Sequence, residues 1–216
     1  MKQYLSISIA SILALSAPGI ANAQLYVTAE IGGVPTVSGA TLENFDEPSP
    51  PILTLSGAYL VTGFTGYSDP PYFSGSTAAF FGESPTYGYD SGRYVAVTAG
   101  GSATFSFSTP QNYFGLLWGT VDAVNYLTFY DSVNNVIGTI CGTNVPITPS
   151  NSGPNGTGYV NITSTTAFSR VVATSGVTSF EFDDVAYAQA VPEPVSSVLF
   201  GAGLCILGFA LRRKST

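Results

Sequence analysis

The groups able to do chemistry in this sequence are almost all carboxylates. There is no histidine anywhere in the 216 residues. That removes Ser-His-Asp and Cys-His catalysis and most zinc sites. No Walker loop or dinucleotide fingerprint is present, so the many glycines read as turn residues. Two acidic groups remain as candidate ligands for a hard cation: Glu43, Asp46 and Glu47 near the start, and Glu181, Asp183 and Asp184 near the end. Ca²⁺ takes six to eight oxygens from such groups, so Glu43, Asp46, Asp183 and Asp184 form a candidate calcium set. The alternative is that they are solvated edge charges that discourage strand pairing. Two acids facing across a cleft are also the requirement for glycoside hydrolysis.

A second candidate site is aromatic. Trp118 with Asp122 and Asn125 would suit a glycan-binding surface, the ring stacking on a sugar face and the polar side chains bonding hydroxyls. Tyr126, Tyr130, Tyr87 and Tyr89 extend the idea. The alternative for Trp118 is core packing, since it ends the apolar run Tyr113–Trp118. Cys141 is the single cysteine between residues 24 and 190, which leaves no partner there for an intramolecular disulfide. With no histidine to activate it, it is expected to pack as a small apolar residue.

These residues have to be positioned by strands. Short runs rich in Val, Tyr, Phe and Thr alternate with Gly, Pro, Ser, Asn and Asp clusters, the pattern of an all-β sandwich or barrel. The runs are Leu25–Ile31, Ala58–Phe64, Arg93–Thr98, Ser102–Ser108, Tyr113–Trp118, Tyr126–Tyr130, Val136–Ile140, Tyr159–Thr163, Phe168–Ala173 and Val177–Tyr187. Tyr126–Tyr130 and Val136–Ile140 are expected to pair as a hairpin. No stretch shows a helical stripe. The predicted fold is a jelly-roll-like antiparallel β-sandwich, in which first and last strands are neighbours and would bring the two acidic groups together.

The ends differ from this body. Lys2, an apolar stretch from Tyr4 to Ala17, a Pro18-Gly19 break and Ala21-Asn22-Ala23 form a secretory signal, with cleavage by signal peptidase after Ala23. A buried N-terminal helix or a retained anchor is the alternative. At the other end, Val191-Pro192-Glu193-Pro194 precedes an uncharged apolar span, Val195 to Leu211, and then Arg212, Arg213 and Lys214. Its 17 residues are near the lower limit for a transmembrane helix, and the basic cluster would hold that end in the cytoplasm. The organisation expected is a signal peptide over 1–23, a β-sandwich ectodomain over 24–190 and a C-terminal segment over 191–216. Between residues 24 and 190 lie twelve acids and only Arg93 and Arg170, a formal balance of −10. That argues against nucleic acid and anionic membrane surfaces as partners.

The Pro-Glu-Pro motif, apolar span and basic end, in that order at the C-terminus, resemble the PEP-CTERM sorting signal of Gram-negative bacteria. The resemblance implies cleavage near Pro192–Pro194 by an exosortase, an inner-membrane intermediate, and then residence at the cell surface or in the extracellular matrix. Within the body, Glu43-Asn-Phe-Asp46, Tyr113–Asp122 with Asn125, and Phe180–Val185 resemble a recurring ectodomain of exosortase-dependent surface proteins. That resemblance implies a β-sandwich and brings no catalytic residues. Three function classes follow: a surface or matrix protein without catalytic activity, a polysaccharide-binding module, and a carboxylate hydrolase. The missing catalytic groups favour the first.

Overall fold

The computed structural model describes residues 23–46, 51–82, 88–147, 156–177 and 179–189. Ten strands are described: β1 (Leu25–Glu30), β2 (Thr41–Glu43), β3 (Leu53–Thr62), β4 (Tyr72–Phe73), β5 (Gly88–Tyr89), β6 (Arg93–Trp118), β7 (Asn125–Tyr130), β8 (Val136–Cys141), β9 (Gly158–Ser175) and β10 (Phe180–Ala188). The expected β-sandwich is present. The separate runs at Arg93, Ser102 and Tyr113 are one 26-residue strand, and those at Tyr159 and Phe168 are one 18-residue strand. Both strands pass from one layer to the other, so hydrogen bonding is continuous through both layers.

The first layer holds β1, the early part of β9, the end of β6, the later part of β10 and β2. Leu25 to Glu30 pair with Ser164 to Tyr159, and Tyr113 to Trp118 pair with Thr163 to Gly158. The second holds β3, the first two thirds of β6, the later part of β9, β7 and β8. β10 joins them. Phe180, Glu181 and Phe182 pair with Val97, Ala96 and Val95; then Phe182 and Asp183 pair with Trp118 and Leu117, and Ala186 with Gly115. Partner numbers fall within each stretch, as in antiparallel pairing. Across the whole strand, β10 advances from the first segment of β6 to the last.

The core lies between the layers. Phe105, Phe114, Phe129, Phe168 and Phe182 are fully buried, and Phe105 meets Phe114 with ring centroids 5.3 Å apart. Buried aromatics in tilted and edge-on contacts contribute area burial plus a specific ring–ring term. A second, smaller cluster covers the outer face of the first layer: Phe73, Ala78, Tyr113, Leu117, Tyr159 and Ala186. Its lid includes α1 (Gly75–Phe81), whose Phe81 stacks on Tyr159 at 5.8 Å. This seven-residue helix corrects the expectation of a body without one. Both faces of the Tyr113–Trp118 segment are therefore covered, which explains its unbroken apolar run.

Candidate functional site

The loop between β3 and β4 makes one wall of an open pocket. Its turn closes through Thr65 N donating to Ser68 O at 2.9 Å, and the Thr65 and Ser68 hydroxyls sit 2.7 Å apart. Ser68 Oγ also lies 3.1 Å from the Tyr94 hydroxyl, which donates to Gly63 O at 2.8 Å. The approach to β10 makes the opposite wall. Ser179 Oγ donates to Tyr67 O at 2.8 Å and is hydrogen-bonded to Glu181 Oε1. The third wall is the turn after β6, where Gly119 N donates to Glu181 O at 2.8 Å.

The pocket has a volume of about 310 Å³. Thr65, Ser68, Thr120 and Ser179 give it polar walls, Asp69, Asp122 and Glu181 give it three carboxylates, and no basic side chain among the described residues lines it. Tyr67 stands at the rim with half its surface exposed. Burial raises the Glu181 carboxyl to about 7, against hydrogen bonding that stabilises its ionised form, with the Asp69 charge adding to the rise. Burial also raises Asp122. The Tyr94 hydroxyl behind the wall is raised mainly by burial, with Glu181 and Asp69 adding to it.

The structure divides the predicted glycan set. Asp122 lines this pocket. Trp118 is fully buried, tilted against Phe180 with ring centroids 4.5 Å apart, so it has no face to offer a sugar; this corrects its expected role. Asn125 is also fully buried. Both support the pocket from behind: Trp118 Nε1 donates to Thr120 O at 3.0 Å and Asn125 Nδ2 donates to the same oxygen at 3.4 Å. Asn125 Oδ1 accepts from Ser175 Oγ at 2.7 Å. Tyr130 carries the Arg170 guanidinium over its ring at 3.8 Å, and Tyr89 packs against Phe64 and Tyr72. Tyr126 is exposed, and Tyr87 lies outside the described residues.

The predicted calcium set is brought into one region, since Val185 of β10 sits opposite Glu43 of β2. Three of its oxygens accept from the backbone. Glu43 Oε1 accepts from Phe45 N at 3.0 Å, Asp46 Oδ1 from Arg93 N at 3.0 Å, and Asp183 Oδ1 from Asp184 N at 2.7 Å. Among the described residues, no three His, Cys, Asp or Glu side chains gather as a metal site. What does form is a buried acid pair. Asp90 and Asp183 are 4% and 2% exposed, and both press on the same buried region of β10 and its neighbours. Burial, then the Asp184 charge, then Asp90, push Asp183 well above the usual carboxylate range. Asp184 has φ of 49° where β10 fits two residues, Asp184 and Val185, against Leu116 of β6, a bulge.

Sequence reasoning placed Glu181 among the cation ligands and gave no place to Tyr67, Asp69 or Ser179. Glu181 pairs through Ser179 with a loop more than a hundred residues earlier, and no local pattern reports that. Cys141 also differs from expectation: it is partly exposed, with Sγ 3.0 Å from Thr143 Oγ1 and 3.2 Å from Asn144 Oδ1.

Ala23 is exposed; Ala21 lies outside the described residues, as do Val191, Pro192, Glu193, Pro194, Arg212, Arg213 and Lys214 and the apolar span between them. Among the described residues no helix is long and apolar enough to cross a membrane. Residues 190–214 match the PEP-CTERM protein-sorting motif. No curated protein matches the sequence. Among solved structures, a family 6 carbohydrate-binding module aligns at 13% identity and a TM-score of 0.38, over 69% of this chain and 94% of the module. The enzymatically active domain of tailspike protein 4 from bacteriophage CBA120 aligns at 18% identity and a TM-score of 0.26, over 67% of this chain and 20% of that one. At those scores neither likeness carries an argument about ligand or activity.

Proposed function

We propose that this chain is exported, processed by an exosortase, and works at the cell surface or in the extracellular matrix by binding rather than catalysis. The observation that carries this is the sorting motif over residues 190–214, following an acidic β-sandwich. Signal peptidase and exosortase act on the two ends, and the inner membrane holds the intermediate between the two cuts. Mass spectrometry of the secreted form tests it. A mature C-terminus near Pro192–Pro194 is expected; an intact Thr216 in the secreted material overturns the processing step.

A second reading gives the body a ligand: extracellular polysaccharide. A polar pocket with hydroxyls, carboxylates and an exposed aromatic ring at its rim favours it. Sugar-binding sites combine an apolar ring face with placed hydrogen-bonding groups. The same acids are the ingredients of a carboxylate hydrolase, two of them, Glu181 and Asp122, with a raised pKa. An assay for new reducing ends separates the two. Binding without cleavage is expected, and steady release of reducing ends that is lost in Glu181→Gln overturns the non-catalytic reading.

A further inference from the structure

Arg170 is one of two basic side chains between residues 24 and 190, and the fold fixes it in place. Its guanidinium lies over the Tyr130 ring at 3.8 Å and donates to Asn134 Oδ1 at 3.2 Å. Both partners are neutral, and Asn134 takes one of the five N–H donors. Asp131, the acid beside Tyr130 in sequence, spends its oxygens inside its own turn. Its Oδ1 accepts from Val133 N at 2.9 Å and Asn135 N at 2.8 Å, and its Oδ2 from Asn135 Nδ2 at 2.9 Å. Beside Arg170 lies a depression of about 460 Å³, lined by Ser106, Ser108, Ser132, Ser169 and Asn134. No carboxylate among the described residues lines it, and it shares no lining residue with the acidic pocket.

The sheet face around this depression also carries no acid. Ser106, Arg170 and Tyr130 form one row across β6, β9 and β7, and Ser102, Thr174 and Tyr126 form another. The row between them is Thr104, Val172 and Thr128. The alternate residues Phe105, Val171 and Phe129 are fully buried in the core, so these rows face outward. In a body with twelve acids, an acid-free face holding one fixed guanidinium favours an anion. A guanidinium stacked on a ring presents a planar fork, which a carboxylate matches with two parallel bonds. The exposed serines beside it can bond sugar hydroxyls. The exposed Tyr126 lies about 13 Å along β7, four residues at about 3.3 Å each, within reach of the same oligosaccharide. We infer that Arg170 binds the carboxylate of a uronate unit in an extracellular polysaccharide, with Ser106, Ser108 and Ser132 on its hydroxyls and the chain running toward Tyr126. This rests on the polysaccharide reading above and gives that ligand an acidic class and a second site.

The test is isothermal titration calorimetry of the full chain in detergent near pH 7, with a galacturonic acid hexamer, its methyl ester and cellohexaose. The acid is expected to bind at least about tenfold more tightly than the two neutral oligomers, as a charge-assisted pair requires. Arg170→Gln should bring the acid down to the level of the ester. Every other basic residue is present in both proteins, so the difference reports Arg170. Asn134→Gly suits the φ of 66° at that position and removes the bond that holds the guanidinium. It should weaken binding of the acid by about threefold and leave the ester unchanged, and it remains informative if Arg170→Gln does not fold. A preference for the acid that survives Arg170→Gln, or that Asn134→Gly leaves untouched, overturns the site. Equal binding of all three oligomers overturns the acidic class and leaves the polysaccharide reading standing. Binding of none overturns both.

Discussion

At the residue scale, the acids of β10 are the unusual feature. Glu181 and Asp183 point away from the Phe180 and Phe182 core, yet both are buried, one against Ser179 and the other against Asp90. Each has its pKa raised by folding, so the folded chain holds protons that the unfolded chain releases. Stability is then highest at acid pH and falls as pH rises through the window between the unfolded and folded values. For Glu181 that window runs from 4.5 to about 7, and the loss is about 3 kcal/mol as an order of magnitude. Asp131, whose pKa is lowered by Asn135, acts in the opposite direction only at the acid edge. Urea denaturation at pH 5 and pH 8 should show the lower stability at pH 8. Asp183→Asn should reduce the difference, because a buried amide has no proton to lose as pH rises. A protein more stable at pH 8 than at pH 5 would reject the buried-acid account. Trp118→Ala should cost about 3–5 kcal/mol, as removal of a buried aromatic does.

At the element scale, the long strands decide the architecture, and close backbone approaches decide the long strands. β3 runs beside β6 from Leu53 opposite Phe105 to Thr62 opposite Arg93, with a register shift between Ser56 and Ala58. There Gly57 takes φ of 60°, and a Cβ on Gly101 would lie 2.0 Å from Gly57 O. Gly101→Ala should therefore cost roughly 1–3 kcal/mol or more through forced backbone displacement, while Gly66→Ala, with open space around its Cβ, should stay within about 0.5 kcal/mol. Denaturation midpoints of the two variants check this; equal midpoints would mean that β3 and β6 can separate at no cost. The same site shows what the sequence concealed. Ala99-Gly100-Gly101 and Thr109-Pro110 read as breaks between strands, whereas β6 continues through both as a bulge and a bend. Strand identity was legible because alternation is local. Strand continuity was not, since it depends on β3 and β9 pairing from far along the chain. The α1 helix has only seven residues, including Thr77 and two phenylalanines, too few to display a helical period. In the site, Asp122 was found from its proximity to an aromatic run. Tyr67, Asp69 and Ser179 were not, because only the fold brings them to Glu181.

At the scale of the whole molecule, the dominant fact is one-sided charge. Residues 24–190 carry twelve acids against Arg93 and Arg170. The Arg170 guanidinium lies over Tyr130 and donates to Asn134 Oδ1 at 3.2 Å, so part of the scarce positive charge is spent on neutral partners. Self-repulsion of this kind opposes the compact state and is screened over a Debye length of about 10 Å at 0.1 M salt. Raising sodium chloride at pH 8 should therefore raise the melting temperature. The rise should be smaller at pH 5, where Glu181 holds its proton and the folded charge is lower. Scanning calorimetry at the two pH values checks both statements. A melting temperature that falls with salt at pH 8 would mean that attractive pairs outweigh repulsion, which two arginines among twelve acids make hard to achieve. The same scans should be unchanged by a reducing agent, because Cys141 is the single thiol between residues 24 and 190. A body with one thiol and only two arginines among its acids must draw its stability mainly from the aromatic core, and screening leaves that term nearly untouched.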